Sequence, residues 1–123
     1  MSRHGLDPAA RVLSGPVILV LPEGVSPGLD VDVIHASDPW QIRQALHERG
    51  LGRLLCEGGP SLLTDFLRAG AVDELFLTTA PTVVGDGTRL LSGPAATSLS
   101  LRSLVVDDPG VLLGRWSVVR SKA

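Results

Sequence analysis

The stretch "LLCEGGPSLLTDFLRAG", residues 54–70, constrains the fold more than any other part of the chain. An apolar run with the character of a buried strand ends in a single acid, Glu57. Gly58, Gly59 and Pro60 turn the chain, and an amphipathic run follows as far as Gly70. A strand that gives way to a helix within three residues is part of a β-α unit, and such units build sheets covered by helices.

The flanking sequence repeats the alternation. "PVILVLP" (16–22) is a β-branched and aliphatic run bounded by prolines and is expected to be a buried strand, as is the shorter "VDVIH" (31–35). "ASDPWQIRQALHERG" carries helix signals: Ser37 or Asp38 as cap, Pro39 in the first turn, Gly50 just past the end. "LGRLLCE" (51–57) is then a third strand, "PSLLTDFLRAG" (60–70) a second helix and "VDELFLTTAP" (72–81) a fourth strand. "LSLRSLVVDD" (99–108) and "VLLGRWSVVR" (111–120) form a hairpin about Pro109-Gly110. The expected fold is α/β with a mainly parallel sheet, flanking helices and a C-terminal antiparallel hairpin. It is one domain over 1–123: a loop at 1–15, an α/β part at 16–98 and the hairpin at 99–120.

Several function classes are disfavoured. A net charge of −2 offers no basic field for a nucleic acid or an anionic membrane surface. The apolar run around Val17–Leu21 falls far short of the ~20 residues that cross a bilayer. Cys56 is the only cysteine, so no intrachain disulfide or multi-cysteine metal site exists; it reads as a small buried hydrophobe. Residues 1–15 have no apolar core of a secretory leader, and a cytoplasmic setting is expected. His4, His35 and His47 have no metal-ligand spacing, and Asp73-Glu74 and Asp107-Asp108 read as turn or cap residues. No residue is assigned a catalytic role, and no metal is expected.

Residues 57–61 sit where ligands bind in open α/β sheets, beyond the carboxyl end of a strand. A helix N-terminus offers unpaired N–H groups and the positive end of a dipole, which suit a phosphate. Gly58 and Gly59 let an anion approach the backbone, Ser61 adds a hydroxyl that donates or caps, and Glu57 stands beside them to hydrogen-bond a donor-rich ligand. The same residues also make an ordinary tight turn, and the full GxGxxG fingerprint is absent. On residue chemistry alone both readings stand.

The ordered series strand-Glu-Gly-Gly, a helix ending in glycine, Val-Asp-Glu-Leu, a strand ending in Ala-Pro and then Gly-x-Gly resembles the riboflavin-biosynthesis pyrimidine reductases. The resemblance runs in order over about residues 14–120 and matches the C-terminal half of the family domain. It implies a dihydrofolate-reductase-like fold whose N-terminal half has no counterpart in this sequence. It implies NADPH as cofactor and, as substrate, a small pyrimidine phosphate whose ribosyl group is reduced to ribityl. By position, Glu57 faces the substrate, while Gly58, Gly59, Pro60, Ser61 and Leu62 hold the cofactor phosphates. Gly85, Asp86 and Gly87 match a glycine-rich turn whose role is less clearly ligand-binding, and Arg89 beside it pairs with a phosphate or lies on the surface. Hydride transfer needs no protein nucleophile, since the cofactor carries the chemistry. The half-fold leaves a strand edge open, so association with itself or with a partner chain supplying the other half is expected. The alternative is a catalytically silent nucleotide-binding or oligomeric α/β module.

Overall fold

The computed structural model describes residues 7–120, in two units that meet between Leu54 and Leu55. In the first unit a short 3₁₀ turn, Arg11–Ser14, precedes β1 (Ile18–Leu21) and β2 (Asp32–His35). These two strands pair in parallel, with Ile18 opposite Asp32 and Leu21 opposite His35. Helix α1 (Pro39–Glu48) follows. Asp38 is its cap, with Oδ1 accepting from the Trp40 and Gln41 N–H groups at 2.8 and 3.0 Å. The Gln41 side chain reaches back to the Ser37 N–H at 2.8 Å, so two orphan donors are satisfied near the helix start.

Gly50, at φ +81°, closes α1 in a left-handed turn that a residue with Cβ resists. The Leu51 N–H then bonds the Leu46 carbonyl at 3.0 Å, and Gly50 bonds His47 at 2.9 Å. Arg49 ties the end of α1 to β2, with Nη1 3.0 Å from an Asp32 carboxylate oxygen and Nη2 donating to the Val33 carbonyl at 3.1 Å. Ile34 and Ala36 are the buried apolar residues of this unit.

The second unit contains α2 (Pro60–Arg68), β3 (Glu74–Thr79), β4 (Ser98–Asp107) and β5 (Val111–Val119). Gly70 (φ +62°) ends α2 with the same pair of bonds, Ala71 N–H to the Phe66 carbonyl at 2.9 Å and Gly70 N–H to Leu67 at 3.0 Å. The strands form an antiparallel sheet in the order β3-β5-β4. Strand alternation places Leu75, Leu77, Leu99, Leu101, Leu104, Val106, Leu112, Trp116 and Val118 on one face, a nearly unbroken apolar surface. Leu67 of α2 and Leu75, Leu77 and Leu99 line an apolar hollow of about 260 Å³ at one end of it. At the other end Leu101, Leu104, Val106 and Leu112 are exposed. The opposite face mixes Glu74, Arg115, Ser117 and Ser100 with Phe76, Val105 and Leu113.

Three expectations are corrected. The sheet is not mainly parallel: β1-β2 is the parallel pairing, and the larger sheet is antiparallel throughout. Residues 51–57 form no strand, although their sequence is as apolar as that of β1. A strand exists only through its ladder partners, and this segment straddles the unit boundary with none. Leu54 and Leu55 are consequently exposed, and Cys56, expected to be buried, is exposed with them. Asp73 and Glu74 serve as ion-pair partners of Arg120 and Arg115. Among the described residues, no helix is long and apolar enough to cross a membrane.

Candidate functional site

Gly59 is the residue that caps α2, and no side chain caps the helix. Pro60 takes the first helical position, where its missing N–H costs nothing. The first bond of the helical pattern runs from the Leu63 N–H to the Gly59 carbonyl, at 3.2 Å. The donors of the preceding residues, Ser61 and Leu62, therefore point outward at the positive end of the helix. Ser61 is exposed in the first turn and is not the cap, which corrects one of its two expected roles.

The two glycines differ in what they do. A Cβ on Gly58 would overlap Leu62 Cδ2 and lie 3.0 Å from Leu62 Cβ and 3.1 Å from Cγ. Gly58 is thus crowded by the exposed Leu62 side chain, which would have to turn away to admit a Cβ. A Cβ on Gly59 would meet nothing within 4 Å, and its φ of −71° with ψ of 179° suits any residue. Neither crowding nor backbone conformation calls for glycine at 59. Glu57, immediately before them, is exposed and has no hydrogen-bond or ion-pair partner among the described residues.

Residues 84–89 wall an open hollow of about 410 Å³. Asp86 turns inward on its own loop, its Oδ1 accepting from the Gly87 N–H at 2.7 Å, and Arg89 is exposed. The glycine-rich loop does not touch Glu57–Leu62 directly through any described hydrogen bond. It reaches α2 through the residues that follow it. Thr64, 2% exposed, accepts from the Ser92 N–H at 3.0 Å and the Ser92 hydroxyl at 3.4 Å, and donates to the Pro60 carbonyl at 2.6 Å. One turn on, Arg68 Nε donates to the Pro94 carbonyl at 2.8 Å. Sequence reading missed Thr64 and Arg68. The available signal was a hydroxyl between Leu63 and Leu67 on α2, four residues from Pro60.

Residues 9–113 match the model of the RibD C-terminal domain. The riboflavin biosynthesis protein RibD of Mycobacterium tuberculosis is 29% identical over 111 residues, covering 90% of this chain and 24% of that protein. RibD of Aquifex aeolicus is 33% identical over 60 residues, 49% of this chain and 17% of that protein. This chain therefore spans about a quarter or less of the length of the curated relatives it matches. Among solved structures, a pyrimidine reductase-like protein from Corynebacterium diphtheriae superposes with a TM-score of 0.69 at 30% identity, over 85% of this chain and 50% of that one. RibD of Acinetobacter baumannii shares the fold, with a TM-score of 0.79 at 21% identity over 96% of this chain and 36% of that one. A family model matched over most of the chain's length leads to one assignment: this α/β chain belongs to the RibD C-terminal domain family.

Proposed function

We propose that this chain is the cofactor-binding part of an NADPH-dependent reductase of riboflavin-biosynthesis type, acting on a ribosylated pyrimidine phosphate within a dihydrofolate-reductase-like, cytoplasmic domain. One observation carries the reading. Gly59 is left free of side-chain contact at the uncapped start of α2, while its neighbour Gly58 is crowded by Leu62. Glycine is accepted at a helix cap, but unlike serine or aspartate it brings no side-chain oxygen, so the N–H groups of the first turn stay open to an anion from outside.

The residues present suit a dinucleotide phosphate. Gly58, Gly59 and Pro60 keep the approach clear. The Ser61 and Leu62 N–H groups supply donors at the positive helix end, and the Ser61 hydroxyl adds a third. NADPH, when bound, supplies the hydride. Glu57 accepts hydrogen bonds from the substrate and orients the carbon to be reduced; no side chain of this chain acts as a nucleophile. Activity is proposed to require a partner chain or further segment completing the substrate pocket. The sparse core, with Ile34, Ala36 and Ala71 as its buried apolar residues, supports association.

The test is calorimetric titration of the chain with NADPH and NADH, alongside Gly59→Leu. Saturable NADPH binding that Gly59→Leu abolishes, with a stability loss no larger than the about 1 kcal/mol of a weakened cap, is the expected result. Equal affinity in parent and variant rejects the phosphate assignment. The sparse core also favours a second reading, a catalytically silent nucleotide-binding or oligomeric module. NADPH binding without turnover of a ribosylated pyrimidine phosphate, in the completed assembly, selects it.

A further inference from the structure

We propose that Thr64 is a positioning residue: its buried hydroxyl locks the segment leaving the glycine-rich loop onto the first turn of α2, so that both face one ligand. The proposal rests on the cofactor reading above and adds to it the element that holds the two parts of the site in register.

A helical threonine often bonds the carbonyl four residues back, and such a bond alone would be local. Thr64 does this with Pro60 at 2.6 Å. Its oxygen, however, also accepts the backbone N–H of Ser92, 28 positions away, at 3.0 Å, with the Ser92 hydroxyl at 3.4 Å. One donor and two acceptor sites are all that a hydroxyl has, and here all three are used. Thr64 is the one polar side chain among the described residues that is almost fully buried, at 2% exposure. The bonds are part-buried, with Ser92 itself exposed, and it is the Thr64 oxygen, out of reach of water, for which losing a partner is most costly.

The same stripe of α2 carries a second fastening. Arg68, one turn beyond Thr64, donates to the Pro94 carbonyl at 2.8 Å. Gly93 lies between, and a Cβ there would come 3.0 Å from Arg68 Nη2, so the strap of residues 92–94 lies close against the helix. The consequence for the site is geometric. Thr64 is four residues, about 6 Å of helix rise, from Pro60. Arg89 precedes Ser92 by three residues, so the chain holds it within about 10 Å of the clamp. Without the clamp, residues 81–91, all exposed but the half-buried Leu91, have no described side-chain bond to α2.

The test uses Thr64→Val, which keeps shape and removes the hydroxyl, Thr64→Ser, which keeps the hydroxyl, and Arg68→Ala at an exposed position. NADPH affinity and amide hydrogen exchange at Ser92 are read on each. Thr64→Val is expected to weaken NADPH binding and speed Ser92 exchange about tenfold each, and Thr64→Ser to restore both within about threefold. Arg68→Ala is expected to weaken NADPH about threefold with α2 intact. Exchange in β5 stays unchanged in all three, which a general loss of stability would not allow. Unchanged Ser92 exchange in Thr64→Val overturns the clamp. Faster exchange with undiminished NADPH affinity overturns its positioning role. Should Thr64→Val not fold, undiminished affinity in Arg68→Ala overturns the proposal instead. A parent chain that does not bind NADPH removes the cofactor reading and the clamp's role toward it, while Ser92 exchange still decides whether the clamp exists.

Discussion

Arg115 grips Glu74 across the β5-β3 pairing with two guanidinium nitrogens: Nε lies 3.1 Å from each carboxylate oxygen and Nη2 2.6 Å from Oε1. The two residues are diagonal neighbours on one face, and Arg115 also stands 5.8 Å from the centre of the Phe76 ring. The hydrogen bond to Glu74, and then its charge, raise the Arg115 pKa above the ordinary guanidinium value. A raised value in the folded state means stabilisation that is complete below the unfolded pKa and lost only as pH climbs through the folded one. Both lie far into alkali. Arg115→Gln is therefore expected to leave the slope of stability against pH unchanged between about pH 7 and 10. Urea unfolding at several pH values measures this, and a changed slope contradicts it.

The paired glycines at the start of α2 separate packing from binding. Gly58→Ala forces a Cβ into Leu62 and is expected to cost about 1–2 kcal/mol. Gly59→Ala meets open space at an ordinary backbone conformation and is expected to cost only the weaker capping by alanine, about 0.5–1 kcal/mol. Chemical denaturation of both variants checks the pair. Equal losses would show that the two positions share one structural role.

Asp38 carries the start of α1 through two N–H bonds from one carboxylate oxygen. Asp38→Ala is expected to cost about 1 kcal/mol and Asp38→Asn much less, because an amide oxygen still accepts. Helical circular dichroism through a thermal melt distinguishes them. Equal melting of the alanine and asparagine variants would assign the loss to charge at the helix end instead.

Exposed apolar residues at one end of the β3-β5-β4 sheet, Leu104 and Val106 among them, sit on the outer strand β4. A strand that is both an edge and apolar recruits another chain. The parent chain is expected to associate at micromolar concentration. Leu104→Lys with Val106→Lys is expected to shift it toward monomer with no loss of melting temperature. Sedimentation velocity reads this directly, and a monomeric parent chain contradicts it.

Helix ends were legible in the sequence because their chemistry is local. Asp38, Pro39, Gly50 and Gly70 each act within a few residues of their own position, and each sits at the end expected of it. Residues 51–57 were not, since the run "LGRLLCE" records an affinity for a sheet interior while the pairing depends on distant strands. The sheet direction escaped for the same reason: β3 follows a helix, as a parallel strand does, yet pairs with the later hairpin strand β5. At the candidate site, Glu57 through Leu62 stand out by composition. Thr64 and Ser92 were silent because nothing near either residue announces a bond 28 positions long.

Trp116 lies on the apolar sheet face opposite Leu75 and Leu101, with its indole Nε1 only 2.7 Å from where a Gly114 side chain would begin. The glycine is the berth for the ring. The chain's other tryptophan, Trp40, is in the first unit, its ring centre 5.0 Å from the Arg43 guanidinium. With Trp40 replaced by phenylalanine, the remaining indole is a fluorophore native to the sheet. Whatever covers that face dries its surroundings and moves its emission toward the blue, so occupancy of the sheet can be followed by light without any added label.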